Sequence, residues 1–246
     1  MVGQGTSPSF DIQHEEPTST LVAGFAEFGL AGLTAANYVT ETLELERTGH
    51  IGVEQLPAVT PFENGTPRHH TRLFSKPDLD ITVVVGELFV PPYAAEPFGN
   101  ALLDYTDEHG VEDIVVLSGV PIQHGPDDHR AFYVASEDYQ SARLDGDHGI
   151  TAMPGGFLDG INGELMERAV DSTLKACVLT TPVHQQVPDI DAALRLIGAL
   201  DSVYDLDIDT GPLEEFAETL SKQYEELAAR LESQREEMRP EDRMYM

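Results

Sequence analysis

The run Ile81-Thr82-Val83-Val84-Val85-Gly86 constrains this chain more than any other feature. Its residues are β-branched and apolar at consecutive positions, so a strand made of them must be covered on both faces. Leu21-Val22-Ala23-Gly24-Phe25, Asp113-Ile114-Val115-Val116-Leu117-Ser118-Gly119 and the stretch from Leu174 to Thr180 have the same character. Between them the apolar residues recur at helical spacing. From Gly29 to Leu45 these are Leu30, Leu33, Ala36, Val39 and Leu43. Residues 94–109 carry Phe98, Ala101, Leu102, Tyr105 and His109, and Gly110 stands where a helix would stop. Further helices are expected over 161–172 and from Asp189 to Leu200, with shorter strands at His50 to Val53, 131–136 and 150–153. Strands that alternate with helices make βαβ units. The expected fold class is α/β, a mostly parallel sheet with helices on both faces.

The C-terminal part reads differently. After a small hinge at 205–211, the apolar positions Leu213, Phe216, Leu220, Tyr224, Leu227, Leu231 and Met238 step mostly by threes and fours among Glu and Arg. That pattern predicts one long amphipathic helix over 212–239 with a narrow seam for coiled-coil pairing, or for folding back on its own domain. Pro240 ends it. Residues 240–246 form an arm whose last three members are Met244, Tyr245 and Met246. A hydrophobic–Tyr–any end with a carboxylate suits a pocket with an apolar wall and a cation or backbone nest. Average residue usage yields such an ending in about one chain in a hundred. The division is then a loose lead-in over 1–20, an α/β domain over 21–205, the helix, and the tail.

Charge narrows the partners. Forty-four Asp and Glu face 14 Lys and Arg, for a formal charge of −30, and only Lys76, Lys175 and Lys222 are lysines. The acids are spread over the whole length, which marks a solvated acidic surface. Such a surface repels itself in ordinary salt. Molar salt shortens the Debye length to about 3 Å and screens that repulsion, so the composition reads as adaptation to a high-salt cytoplasm, as in a halophilic archaeon. Nucleic acid is not an expected partner, since no basic patch would neutralise phosphates. A membrane is not one either, because no run reaches the roughly 18 apolar residues of a span. The single cysteine, Cys177, lies in the apolar run Ala176-Cys177-Val178-Leu179 and reads as a buried thiol in a reducing interior. The expected location is the cytoplasm.

No catalytic set stands out. The glycines of Gly24-Phe25-Ala26-Glu27-Phe28-Gly29-Leu30-Ala31-Gly32 could cradle a phosphate, but Glu27 would repel an anion. Close helix–strand packing accounts for them better. His124, Asp127, Asp128 and His129 gather possible metal ligands on one loop without the separated elements that a metal site uses, so no metal is expected. Ser118 precedes Gly119 at a strand end without the flanking residues of a nucleophile elbow. His69-His70 beside Arg68 and Arg72 is the one locally basic patch, read as a solvated loop or a partner contact. No catalytic residue and no cofactor are expected.

The strand ending in Gly24-Phe25, followed by Gly29-Leu30-x-Gly32 and a helix, resembles the opening of the archaeal proteasome assembly chaperone family. The likeness extends through Ile81 to Val85, the Pro91-Pro92 loop, the strand Ile114 to Leu117 with Ser118-Gly119, and Met153-Pro154-Gly155-Gly156-Phe157. It covers residues 20–205. The resemblance implies an α/β, phosphorylase-like three-layer domain that forms homo-oligomers. It further implies that Met244, Tyr245 and Met246 dock on the α-subunits of the 20S proteasome core, with Met in place of the usual aliphatic residue. The role implied is a non-catalytic assembly chaperone or activator. The competing expectation is an enzyme of ATP-grasp-like or nucleoside-phosphorylase-like type, acting on a small phosphorylated ligand near Gly24 to Gly32 or Gly155-Gly156.

Overall fold

A computed structural model describes residues 7–122, 125, 129–146, 148–184, 188–220 and 222–223. In chain order the elements are β1 (Ser9–His14), β2 (Thr20–Phe25), α1 (Ala31–Thr42), β3 (Glu46–Glu54), β4 (Phe62–Glu63), β5 (Thr66–Pro67), β6 (Thr71–Lys76) and β7 (Ile81–Gly86). They continue with α2 (Ala95–His109), β8 (Asp113–Val120), β9 (Phe132–Ala135), α3 (Glu137–Arg143), β10 (Thr151–Ala152), α4 (Gly160–Val170), β11 (Lys175–Pro182) and α5 (Ile190–Tyr204).

Nine strands form one sheet in the order β1-β3-β6-β7-β2-β8-β11-β9-β10, and β4 pairs with β5 in a separate hairpin. The four central strands β7, β2, β8 and β11 run parallel. They are the runs that the sequence marks as buried on both faces, and every residue of β2 and β7 is buried. Antiparallel pairing occupies the flanks, where β6, β3 and β1 follow β7 and where β9 meets β11. Helices cover both faces. Val22 and Gly24 look toward α1, where Gly24 lies against Gly32 and Ala36. Leu21, Ala23 and Phe25 look the other way, into a core shared with Phe98, Leu102 and Tyr105 of α2 and Ile161 and Leu165 of α4. Removing each such side chain from water contributes about 1.5–3 kcal/mol, which sets the register of the central strands.

The differences from the sequence reading lie at the flanks. Within the stretch 1–20, Ser9–His14 is an edge strand, and Phe10 and Ile12 pack on the α2 face. Strand β3 extends four residues before His50 and β6 pairs with it. Helix α3 starts at Ser136, whose hydroxyl accepts from the Tyr139 N–H. At the amino end of β8 the buried Asp113 meets Arg143 Nη2 at 2.6 Å and Lys175 Nζ at 3.8 Å.

Residues up to Ile208 form one compact unit and those from Asp209 a second. In the second, residues 211–220 and 222–223 are helical. Thr210 donates to Glu214 at 2.7 Å at the start, and Lys222 pairs with Glu218 one turn back at 3.5 Å. The remainder of the expected helix, 224–239, lies outside the described residues. Among the described residues no helix is long and apolar enough to cross a membrane.

Candidate functional site

The carboxyl ends of the parallel strands are where open α/β sheets present side chains, and here the chain turns tightly after β2. Gly29 and Leu30 both have positive φ, 65° and 51°, so α1 starts at once against the sheet. A left-handed conformation costs a residue with a side chain about 1 kcal/mol. The close approach explains the glycines. A methyl at Gly32 would overlap the Leu117 carbonyl, and one at Gly24 would overlap the Gly32 carbonyl. On the far side of the turn, Asp189 N–H donates to the Gly29 carbonyl at 2.9 Å. Packing, as the sequence suggested, accounts for this glycine pattern without a phosphate.

The same turn brings Glu27 to Ser118 and Asn162. Ser118 donates to Glu27 Oε2 at 2.8 Å. Asn162 Nδ2 donates to Ser118 Oγ at 3.0 Å and to Glu27 Oε2 at 3.3 Å. Ser118 and Asn162 are both more than nine-tenths buried. Burial pushes the Glu27 carboxyl above its ordinary value, the hydrogen bonds from Ser118 and Asn162 pull it back, and nearby Asp159 pushes up again. A carboxylate that already accepts two donors, beside a hydroxyl that both donates and accepts, ties the β2–α1 loop to β8 and α4.

Sequence reasoning considered Ser118 and Glu27 separately and did not join them, and Asn162 went unnoticed. A polar residue inside the apolar start of a helix was the available signal. Next to them His184 Nδ1 pairs with Asp189 Oδ2 at 2.8 Å, while Asp189 also accepts the backbone N–H groups of His184 and Ala192. Burial raises the Asp189 carboxyl, and these hydrogen bonds outweigh it, leaving the carboxyl below its usual range. Asp189 is thus the cap of α5.

Around this polar clasp stands an apolar rim. Phe28 is 54 % exposed, Phe89 63 %, Tyr93 66 % and Phe157 103 %, with Leu30 and Ile122 also open to solvent. They sit on the loops that follow β2, β7 and β8 and on the loop that leads into α4. Exposed aromatics on loops at the strand ends are candidates for recognition of a partner.

The other sequence candidates are placed as follows. Met244, Tyr245 and Met246 lie outside the described residues, as do His124, Asp127 and Asp128. His129 stands edge-on to His184 with ring centroids 6.3 Å apart. Gly155 and Gly156 are exposed on the loop before α4, with open space around them. Cys177 is buried in β11, and burial pushes its thiol far up. The basic residues Arg68, His69, His70 and Arg72 lie before and within β6, on the antiparallel side of the sheet.

Comparison with known proteins follows the same outline. A model of the PAC2 family matches residues 21–228. An uncharacterized protein of Methanocaldococcus jannaschii is 21% identical over 235 residues, 96% of this chain and 95% of that protein. The crystal structure of Pyrococcus furiosus PbaA, an archaeal homolog of proteasome-assembly chaperone, superposes with a TM-score of 0.82 at 22% identity, covering 94% of this chain and 96% of that one. Pyrococcus furiosus PbaB, an archaeal proteasome activator, superposes with a TM-score of 0.73 at 20% identity, over 92% of this chain and 99% of that one.

Proposed function

The chain belongs to the PAC2 family, and from that premise we propose that it is a non-catalytic protein of proteasome assembly or activation. The family match over residues 21–228 carries this reading. The fold shared with PbaA and PbaB over nine-tenths of the chain is consistent with it. So are the exposed aromatics on the loops at the carboxyl ends of the strands, which suit recognition of a partner. The glycines of the β2–α1 turn are used in packing, which weakens one of the two phosphate sites that the enzyme alternative would use.

The partner in this reading is the 20S core particle, engaged at its α-subunits by Met244, Tyr245 and Met246. Tyr245 fills an apolar pocket and the terminal carboxylate meets a cation. Copies of the chain associate, so several weak tails act together through effective concentration. The apolar rim of Phe28, Phe89, Tyr93 and Phe157 supports such association, since it is area that burial would stabilise. The charge of −30 supports a high-salt cytoplasm as the setting, where docking between acidic surfaces is screened. Co-sedimentation of the full chain and a 244–246 deletion with core particles in molar salt tests the reading. Binding by the full chain and its loss on deletion are expected.

A further inference from the structure

The antiparallel side of the sheet, beyond β7, holds a second site. The hairpin of β4 and β5 turns at Asn64 and Gly65, both with positive φ, and folds back so that Arg68 N–H donates to the Pro61 carbonyl at 2.9 Å. Between this hairpin and β3 opens a cleft of about 510 Å³, walled by Arg47, Arg68, His69 and His70, with Val59 and Pro67 as its apolar side. In a chain where acids outnumber bases 44 to 14, three arginines and three histidines gather between positions 47 and 72.

Their pairing leaves positive charge over. Arg68 holds Glu87 with both terminal nitrogens, at 2.5 and 2.8 Å, and Arg72 shares the same carboxylate at 3.3 Å. Glu63 stands 3.7 Å from Arg68 Nε, too far for a hydrogen bond. The Nε groups of Arg68 and Arg72 are buried without a hydrogen-bond partner. Arg47 is exposed at the bulge in β3 and makes no ion pair among the described residues. The His50 and His69 rings stack at 3.6 Å and 16°.

We propose that this cleft binds a compact oxyanion, a carboxylate or a phosphate, held by Arg47, Arg68 and the His50–His69 pair. An oxyanion matches the forked donors of Arg47, while Arg68, whose two terminal nitrogens already hold Glu87, adds positive charge beside the stacked imidazoles. The state of the histidines fits. Burial holds His50 and His70 below their ordinary value, and the neighbouring His69 pushes both further down. The titratable and charged groups acting on them are His69 on both, Asp11 from β1 and Arg47 from β3 on His50, and Glu87 after β7 together with His50 on His70. Asp11 raises His50 and Glu87 raises His70, while Arg47 lowers His50. An anion in the cleft reverses the balance, so proton uptake and anion binding reinforce one another.

The test follows the imidazole resonances of His50, His69 and His70 in the full chain at fixed ionic strength. Inorganic phosphate and an acetylated triglutamate peptide are titrated in separate arms. Saturable shifts are expected, with affinity rising between about pH 7.5 and 5.5. Arg47→Ala should weaken binding about tenfold, the order of one charge-assisted hydrogen bond. The double variant R68A/E87Q, which avoids leaving Glu87 buried alone, should weaken it further. Tighter phosphate points to a free phosphate compound, and tighter triglutamate to an acidic segment of a protein. Absence of saturation in both arms, or saturation untouched by Arg47→Ala, overturns the proposal.

Discussion

Ser118 on β8 donates a 2.8 Å hydrogen bond to Glu27 on the loop after β2, across 91 positions of sequence. Asn162 completes the clasp from α4. Ser118→Ala removes a donor from a buried carboxyl and should cost about 1–3 kcal/mol in urea unfolding at neutral pH. Glu27→Gln keeps an acceptor and removes the buried charge, so it should cost less. Because the folded value of Glu27 is raised, its penalty grows as pH rises from its ordinary 4.5. The stability of Glu27→Gln relative to the parent should therefore improve from about pH 4.5 toward neutrality. A Ser118→Ala protein as stable as the parent contradicts the clasp.

Gly32 has no room for a side chain. A methyl there meets the Leu117 carbonyl, which belongs to the backbone of a central strand and cannot swing aside. Gly32→Ala should destabilise by about 3 kcal/mol or more, although alanine is the better helix former. Gly155→Ala is the control. Open space surrounds Gly155, and the change should alter the midpoint of thermal unfolding little.

His14 ties β1 to the rest of the sheet. Its Nδ1 meets Tyr105 Oη at 2.5 Å, and its Nε2 lies 2.8 Å from Ser75 and 2.9 Å from Thr48. Burial, assisted by His109, holds His14 down at about 4, and burial pushes Tyr105 up to about 12. The unfolded chain takes up the proton near 6.5 while the fold refuses it until about 4. Stability from this group is therefore whole above 6.5 and is lost as pH falls toward 4. With His14 only partly buried, screening reduces the effect to about 1–2 kcal/mol. His14→Asn should flatten the stability curve over that window, measured by denaturant unfolding at several pH values.

The legible parts of the fold were those set by burial alone. Continuous apolar runs gave β2, β7, β8 and β11, because a strand covered on both faces is where such a run can be hidden. Gly110, at φ 69° after α2, was readable as a helix stop for the same kind of local reason. Strand β6 was not, since Thr71-Arg72-Leu73-Phe74-Ser75-Lys76 mixes polar and apolar residues and depends on pairing with β3 and β7. Strand β1 shows a fair alternation in Phe10-Asp11-Ile12 but is only six residues long. The Asn64-Gly65 turn carried a hairpin signal with almost no strand around it. The clasp was illegible for a topological reason. Glu27, Ser118 and Asn162 come from three distant segments, and only the strand order β2-β8-β11 brings them together.

The apolar rim should be separable from stability. Phe89 and Phe157 are largely exposed, so Phe89→Ser and Phe157→Ser should each change unfolding free energy by no more than about 0.5 kcal/mol. If the rim serves association between copies, sedimentation velocity should show a smaller species for the double variant than for the parent. An unchanged sedimentation profile removes the rim from the assembly.

The most direct measurement is binding to purified 20S core particles in molar salt, comparing the full chain with one lacking residues 244–246 and with Tyr245→Ala. The proposed function predicts that the full chain co-sediments with the particle, that the deletion abolishes it, and that Tyr245→Ala weakens it at least about tenfold, the scale of a buried aromatic anchor. Equal co-sedimentation of all three proteins would contradict docking through the tail.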